Sequence, residues 1–145
     1  MKVLFVCHGN ICRSPMAEYI FKDMVRKRGL GGIFTEISSC AVSREEIGNP
    51  VYPPARRELG RHGIGCQGHA ARQITFADHD YYDLIILMDR SNMRILQRMW
   101  GDARMDKVRM LLNRDVADPW YTDDFETTYD DIVNGLEALI EEYSA

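Results

Sequence analysis

The 145-residue sequence has no long apolar run, since none approaches the roughly 18 residues that a membrane-spanning helix needs. Its first residues also lack a secretory signal, because the apolar run after Lys2 covers only residues 3–6 and an h-region has about 7–15 residues. A basic surplus is absent too: the formal net charge is −4, which disfavours nucleic-acid binding. We therefore expect a cytoplasmic protein with neither membrane nor nucleic acid as partner.

Metal-binding spacings are missing as well. The four cysteines include no C-x2-C pair, and the four histidines show no H-x3-H or HExxH pairing. In a reducing cytoplasm the cysteines need not form disulfides. We expect no metal and no other cofactor.

Short apolar runs alternate along the chain with segments whose apolar residues recur at helical spacing. The runs predict β-strands at 2–6, 35–41, 84–88 and 108–112. The helical spacing predicts helices at 15–29, 53–63, 91–99 and 129–143, the third capped by Ser91. No repeat or linker interrupts this pattern, so we expect a single domain at 1–145. Its fold class would be α/β, a doubly wound three-layer sandwich with a central four-stranded parallel sheet.

The segment CHGNICRS at 7–14 lies between the first predicted strand and the first predicted helix, at the sheet edge where ligands bind. A helix start supplies unpaired N–H groups and partial positive charge, while Gly9 and Asn10 allow the backbone to curl around an anion. Arg13 adds a planar guanidinium that can grip two oxygens. We therefore predict a phosphate-binding loop after the first strand. Its members are Cys7, His8, Gly9, Asn10, Ile11, Cys12, Arg13 and Ser14.

Cys7 would lie at the base of this loop, where positive charge favours its thiolate form. A thiolate there is placed for in-line attack on phosphorus, and Ser14 can donate a hydrogen bond to the sulfur. Ser14 followed by Pro15 also indicates the N-cap and first residue of the helix. A lone cysteine at a strand end is more often a small buried apolar residue. The surrounding strand, helix, glycine and asparagine favour the catalytic interpretation.

Phosphoryl transfer from an ester needs a proton for the leaving oxygen and later a base for water. Asp118, in the segment VADPWYTDDF, is the candidate, because Pro119 restrains its backbone and Trp120 and Tyr121 supply flat surfaces beside it. Asp118-Pro119 is also a common turn signal, and other aspartates compete for the acid role. These competitors are Asp115, Asp123 and Asp124.

Three blocks stand out: VLFVCHGNICRSPMAE at 3–18, HAARQI at 69–74 with LMDRSN at 87–92, and DPWYTDDFETTY at 118–129. Through these blocks the chain resembles the low-molecular-weight protein tyrosine phosphatases over essentially its whole length. The first block is that family's phosphate loop, and its position before an Asp-Pro-aromatic segment is highly specific. The resemblance implies a phosphoric monoester hydrolase acting on phosphotyrosine proteins or peptides and small aryl phosphates. A tyrosine kinase would be its counterpart.

The resemblance also implies roles for single residues. Cys7 would form a phosphocysteine intermediate, Arg13 would bind phosphate, and Asp118 would be general acid and then general base. Cys12 matches a cysteine that forms a reversible disulfide with the nucleophile under oxidation, which implies a redox-sensitive pair. The residues that match the family's supporting hydrogen-bond network are Asn10, Ser14, Ser39 and His69.

The substrate pocket departs from the family's usual pattern. Members often carry an aromatic residue in the variable loop, whereas this chain has Ser-Arg-Glu-Glu at 43–46. Trp120 and Tyr121 therefore have no obvious opposite ring, and the predicted pocket consists of these two with Ile11 and Glu45. We expect Glu45 and its neighbour Glu46 to disfavour acidic sequence around a phosphotyrosine.

Three alternatives remain open on this sequence. A protein-arginine phosphatase of the same fold would carry threonine after the loop asparagine, where this chain has Ile11. An arsenate reductase would need two further cysteines close in sequence, but Cys40 and Cys66 are far apart. A module that binds phosphate without turnover would need neither the nucleophile Cys7 nor the acid Asp118.

Overall fold

The computed structural model describes residues 1–144, and within them four strands form one sheet in the order β2-β1-β3-β4. The strands are β1 Lys2–Cys7, β2 Glu36–Ala41, β3 Leu84–Leu87 and β4 Val108–Met110. All pairings are parallel, with Phe5 of β1 opposite Ser39 of β2 and Ile86 of β3. The predicted four-stranded parallel sheet is confirmed, and β1 is one of its two central strands.

Helices cover both faces of this sheet. They are α1 Arg13–Arg28, α2 Pro53–Arg61, α3 Phe76–Tyr81, α4 Arg90–Trp100, α5 Pro119–Thr122 and α6 Phe125–Ser144, with a 3₁₀ turn at Asp102–Arg104. Helices α1, α2 and α6 contribute to one hydrophobic core, and α4 contributes to the other. The doubly wound three-layer architecture is therefore also confirmed.

Strand β1 shows why its sequence is apolar without alternation. Val3 and Phe5 lie in the core beneath α1, whereas Leu4 and Val6 lie in the core beneath α4, and all four are fully buried. A central parallel strand that is covered on both faces has no side that could carry polar residues. The first residue beyond this apolar run is Cys7, at the carboxyl edge of the sheet.

Two predicted helix caps are wrong. Helix α1 begins at Arg13 after an N-cap at Cys12, so Ser14 lies inside the helix and its hydroxyl bonds to loop residues instead. Helix α4 is capped by Asp89, whose carboxylate accepts from the N–H of Asn92 at 2.8 Å, and not by Ser91. At α4 the aspartate two residues before Ser91 takes the capping position, whereas at α1 no side chain caps the helix and its start lies two residues earlier than the sequence pattern indicates.

Two short helices lie where the apolar pattern predicted none. Helix α3 has a capping box between Thr75 and Asp78. Helix α5 is a single turn that begins at Pro119 after its N-cap, Asp118. Neither segment is long enough to show a helical period, so local capping alone signals them. No helix within residues 1–144 is long and apolar enough to cross a membrane.

Candidate active site

The loop after β1 wraps its backbone around the Cys7 sulfur. Asn10 has a left-handed backbone with φ of 61°, and its N–H points at Cys7 Sγ at 3.3 Å. Ser14 Oγ lies 3.0 Å from the same sulfur. A Cβ on Gly9 would come within 3.3 Å of Glu46 Cγ, so the Glu46 side chain would have to shift slightly to admit a larger residue. The loop therefore turns the N–H of Asn10 and the hydroxyl of Ser14 towards the Cys7 sulfur.

Asn10 is the centre of the network that holds this loop. Its side-chain N–H groups donate to Ser14 Oγ and Ser39 Oγ, both at 2.9 Å, and its side-chain oxygen accepts from the N–H of Arg72 at 3.2 Å. His69 Nε2 donates to the Asn10 carbonyl at 2.8 Å. The Asn10 amide is completely buried with all its hydrogen-bonding groups used, which fits a position that specifies shape.

Ser14 has a single hydroxyl hydrogen to share. Because the hydroxyl oxygen accepts from Asn10, the hydrogen is left for Cys7 Sγ at 3.0 Å or for the Cys40 carbonyl at 3.3 Å. When Cys7 is a thiolate, the sulfur is the nearer and more strongly accepting partner. The network thus directs the Ser14 hydrogen to the Cys7 sulfur.

Glu18 extends the network away from the loop, although the sequence assigned it no role. Ser39 Oγ donates to Glu18 Oε1 at 2.6 Å, and the other carboxylate oxygen pairs with Lys22 at 2.5 Å. The ring of Tyr19 meets the His69 ring edge-on. Helix α1 therefore supports the loop with two side chains beyond its own N-terminus.

Arg13 is held by three oxygens although its side chain is only 3% exposed. Its Nη1 donates to Asp89 Oδ2 at 2.7 Å and to the Val116 carbonyl at 2.8 Å, while Nη2 donates to Asp118 Oδ2 at 3.3 Å. Burial by itself lowers the pKa of Arg13, but the charges of Cys7, Asp118 and Asp89 outweigh it and the pKa is raised. The guanidinium of Arg13 therefore stays charged beside Cys7.

Asp118 lies across the pocket from Cys7, at the start of α5. One carboxylate oxygen accepts from the N–H of Trp120 at 3.0 Å, which fixes the side chain as the N-cap of that helix. The other oxygen faces Arg13. Asp115 instead accepts from the Arg90 N–H, and Asp124 from the Thr127 N–H, away from the pocket.

One pocket of about 250 Å³ collects the predicted catalytic and pocket residues. The side chains of Trp120 and Tyr121 form one wall, with Trp120 packed on Tyr52 at 4.9 Å between ring centroids. Glu45 forms part of the opposite wall and pairs with His8 Nε2 at 3.1 Å. The lining residues are Cys7, His8, Gly9, Ile11, Cys12, Arg13, Glu45, Glu46, Asp118, Trp120 and Tyr121.

Cys12 is the second thiol in the pocket. Burial, together with the negative charges of Cys7 and Asp118, raises its pKa well above the ordinary value of 9.0. Cys12 is therefore a protonated thiol at neutral pH. All four cysteines are free thiols in the structure. Residues 1–144 contain no group of three or more His, Cys, Asp or Glu side chains arranged to hold a metal ion.

A family model for low molecular weight phosphotyrosine protein phosphatases matches residues 2–145. The chain belongs to this family. It is 41% identical to the low molecular weight protein-tyrosine-phosphatase YfkJ of Bacillus subtilis, over 97% of this chain and 94% of that one. It is 39% identical to the low molecular weight phosphotyrosine protein phosphatase of Homo sapiens, over 96% and 93% of the two chains.

Solved structures agree with this membership. The crystal structure of YfkJ superposes with a TM-score of 0.92 at 40% identity, covering 98% of this chain and 93% of that chain. The structure of a Drosophila arginine phosphatase superposes with a TM-score of 0.90 at 30% identity, covering 100% and 99%. The predicted family and fold are confirmed. Proteins named as tyrosine phosphatases and a protein named as an arginine phosphatase share this fold.

The partners of Arg13 in this phosphatase were missed from the sequence. Asp89 lies in the block 87–92, but no local pattern connects it with Arg13, 76 residues away. A signal existed: Asp89 follows β3, which neighbours β1 in a parallel sheet, so the carboxyl ends of both strands share one edge. The carbonyl of Val116 leaves no signal in the sequence.

Proposed function

We propose that residues 1–145 act as a single phosphatase domain that hydrolyses phosphotyrosine in proteins and peptides through a phosphocysteine. The observation that carries this proposal is that Cys7, Arg13 and Asp118 line one pocket of about 250 Å³. A pure binding module would need the arginine but not the other two. The names of the relatives in Bacillus subtilis and Homo sapiens support the same substrate class.

In the first step, Cys7 Sγ attacks phosphorus and the bond to the tyrosine oxygen breaks. The loop N–H groups and the Arg13 guanidinium stabilise the charge that spreads over the equatorial oxygens. Asp118, in its protonated form, donates its proton to the leaving phenolate oxygen. The products of this step are a neutral tyrosine and a phosphocysteine at Cys7.

In the second step, water attacks the phosphocysteine and the S–P bond breaks. Asp118, now a carboxylate, takes a proton from the water, and the Cys7 thiolate leaves with inorganic phosphate as product. The hydrogen bond from Ser14 and the N–H of Asn10 stabilise the departing sulfur. Each group returns to its starting protonation state, so no cofactor is consumed.

The pocket walls favour aryl phosphates. Trp120 and Tyr121 can flank a flat ring, whereas a shorter phosphoserine would leave their surfaces uncovered. Ile11 lines the same pocket with an apolar side chain, which cannot hydrogen-bond a guanidinium phosphate. We therefore propose phosphotyrosine over phosphoarginine, although the Drosophila relative is an arginine phosphatase.

The deciding experiment measures phosphate release from a phosphotyrosine, a phosphoserine and a phosphoarginine peptide of otherwise identical sequence. The wild type is compared with Cys7→Ser and Asp118→Ala. We expect turnover of phosphotyrosine only, a complete loss in Cys7→Ser, and a loss of about 100-fold or more in kcat for Asp118→Ala, as for removal of a general acid.

Matched variants test whether these losses are specific. Cys66→Ser changes another buried cysteine and Asp115→Ala changes another aspartate near the sheet edge, and both should retain activity. If phosphoarginine is the best substrate, the argument from Ile11 is wrong while the nucleophile stands. Binding of all three peptides without phosphate release would replace the proposed activity with a binding function.

We further propose that Cys7 and Cys12 form a reversible disulfide. A peroxide would oxidise the Cys7 thiolate to a sulfenic acid, and the Cys12 sulfur would then displace water from it. Both thiols line the same pocket, which supports the pairing. After exposure to excess hydrogen peroxide, the wild type should regain activity with dithiothreitol because the disulfide protects Cys7 from further oxidation. Cys12→Ser should recover much less, because its Cys7 sulfenic acid is oxidised on to the irreversible sulfinic acid. Equal recovery of the two would refute the pairing.

A nucleophile of this kind works only as a free thiol, which is why we propose the cytoplasm as its location and a tyrosine kinase as its counterpart. Cell fractionation tests the location. Deleting the gene should raise the phosphotyrosine content of the counterpart kinase or its substrates. An unchanged phosphotyrosine profile would contradict this pairing.

A further inference from the structure

A second cavity is lined by His69, the residue that hydrogen-bonds the Asn10 carbonyl, and shares no lining residue with the catalytic pocket. It is formed by α2 and the segment 64–69, and its volume of about 510 Å³ is twice that of the pocket around Cys7. Sites for small molecules typically have volumes of about 300–1,000 Å³. The mechanism proposed above uses no part of this cavity except His69.

Its lining combines an apolar surface with one free cation. Val51, Ile64 and Cys66 are buried apolar residues, and Arg56 is exposed at the cavity. No Asp or Glu among residues 1–144 lies within 4 Å of the Arg56 guanidinium, and none lines the cavity. Burial raises the pKa of the Cys66 thiol, while the Arg56 charge acts in the opposite direction, so this charge is felt inside the cavity.

The backbone of the cavity wall also offers donors. Within the described chain, the N–H groups of residues 65–68 make no hydrogen bond to a protein acceptor, whereas the flanking Ile64 N–H does and the His69 N–H closes a turn at 67–68. Gly68 adopts a φ of 84°, which turns the chain within this stretch. Unpaired N–H groups beside an unpaired guanidinium are the donors that a carboxylate needs.

The cavity is connected to the phosphate loop by one side chain. His69 lines the cavity and donates its Nε2–H to the Asn10 carbonyl at 2.8 Å. Asn10 in turn directs its N–H at the Cys7 sulfur. A molecule that contacts His69 therefore touches the residue that holds the loop in its left-handed turn.

We propose that this cavity is a second binding site for small organic carboxylates with an apolar body, and that its occupancy alters turnover through His69. The carboxylate would bind Arg56 and the N–H groups of 65–68, and the apolar body would cover Val51 and Ile64. Binding does not depend on the proposed phosphatase activity, whereas the effect on turnover does.

The test titrates uniformly ¹⁵N-labelled protein with 4-phenylbutyrate, in the presence of saturating inorganic phosphate to fill the catalytic pocket. We expect saturable shifts of the amide signals of Gly60, Gly65 and Gly68, accompanied by a shift at Asn10. The uncharged 4-phenylbutanamide should bind much more weakly. The affinity for the carboxylate should fall about 10- to 100-fold in Arg56→Gln, as for loss of a charged hydrogen bond.

Arg57→Gln is the matched control, since Arg57 neighbours Arg56 in α2, is also exposed, and lines a different surface pocket. It should bind 4-phenylbutyrate like the wild type. Absence of saturable shifts in the wild type, or equal affinity of Arg56→Gln and wild type, would overturn the site. Binding with unchanged kcat and KM would overturn the coupling to the loop and leave both the site and the phosphatase activity intact.

Discussion

Asn10 shows how much of this phosphatase depends on one side chain. Its left-handed backbone directs an N–H at the Cys7 sulfur, and its side-chain amide bonds three neighbours from separate parts of the chain. An asparagine tolerates this conformation better than most residues and also carries two donors and one acceptor. No other residue type satisfies all these bonds, so the identity of the residue follows from the geometry around it.

Asp89 has two roles: it positions Arg13 and it is the N-cap of α4. Substitution of Asp89 by asparagine separates these two roles. Asparagine caps helices as well as aspartate does, so α4 should keep its stability. Loss of the charge weakens the contact to Arg13 Nη1, now 2.7 Å long, and the guanidinium loses its orientation. We expect kcat/KM of Asp89→Asn to fall about 10- to 100-fold, with a higher Ki for inorganic phosphate and nearly unchanged Tm.

The control for Asp89→Asn is Asp115→Asn, which changes an exposed aspartate whose side chain, within the described residues, bonds only Arg90. It should leave kcat/KM and Ki unchanged. A loss of activity in Asp89→Asn that is matched by a large loss of Tm would indicate a purely structural role.

Glu45 and Glu46 place two carboxylates at the pocket wall, so substrate charge should affect turnover. We expect phosphotyrosine peptides with flanking lysines to have a higher kcat/KM than matched peptides with flanking glutamates. The difference should shrink in Glu45→Gln/Glu46→Gln and at high salt, because exposed charges are screened. Equal kcat/KM for the two peptides would contradict this specificity.

The long and the short helices of this protein are indicated by different features of the sequence. Helices α1 and α6 show a clear apolar period because each buries one face against the sheet or its neighbour. Helix α5 has four residues and is formed by a cap and a proline. The sequence therefore predicted α6 and missed α5, although α5 is the element that carries Trp120 and Tyr121 into the pocket.

Gly135 in α6 tests how closely that helix packs. A Cβ at this position would lie 2.5 Å from Leu111 Cγ, so Leu111 would have to move. In an exposed helix, alanine is more stabilising than glycine by about 1 kcal/mol. Because of the contact with Leu111, we expect Gly135→Ala not to raise the free energy of unfolding by this amount. In a Leu111→Ala background the same substitution should recover this gain, as measured by urea unfolding.

A double-mutant cycle isolates the coupling between Gly135 and Leu111. If Gly135→Ala stabilises the protein equally in both backgrounds, the close contact has no energetic consequence. A coupling of more than about 0.5 kcal/mol would support the packing shown here.

The molecule as a whole buries several groups that are neutral at physiological pH. Burial raises the pKa of the Cys40 thiol well above 9.0, with the Arg72 charge acting in the opposite direction. Burial, with help from the Glu18 charge, raises the pKa of Tyr19 from 10.0 to about 12. These groups lose their protons in the unfolded chain at a lower pH than in the folded protein, so alkaline pH favours unfolding.

We therefore expect the free energy of unfolding to be constant near pH 8 and to fall as the pH rises above about 9. Each group that ionises only in the unfolded state adds a slope of about 1.4 kcal/mol per pH unit. Urea unfolding of Cys40→Ala should show a smaller slope between pH 9 and pH 10.5 than the wild type. Parallel curves for the two proteins would show that Cys40 does not contribute.

The sequence alone determined the parallel α/β fold, the phosphate loop with Cys7 and Arg13, and the candidate acid Asp118. These features are local: apolar runs, helix periods and short spacings can be recognised in the sequence without knowing which residues they contact in the folded protein. Only the tertiary structure decided that Asp89 and Val116 hold Arg13, that Glu18 supports Ser39, and that Arg56 faces a second cavity. Such contacts join residues distant in the chain, because folding a parallel sheet brings its strand ends and loops together. Apart from the position of Asp89 after β3, no pattern in the sequence indicates them.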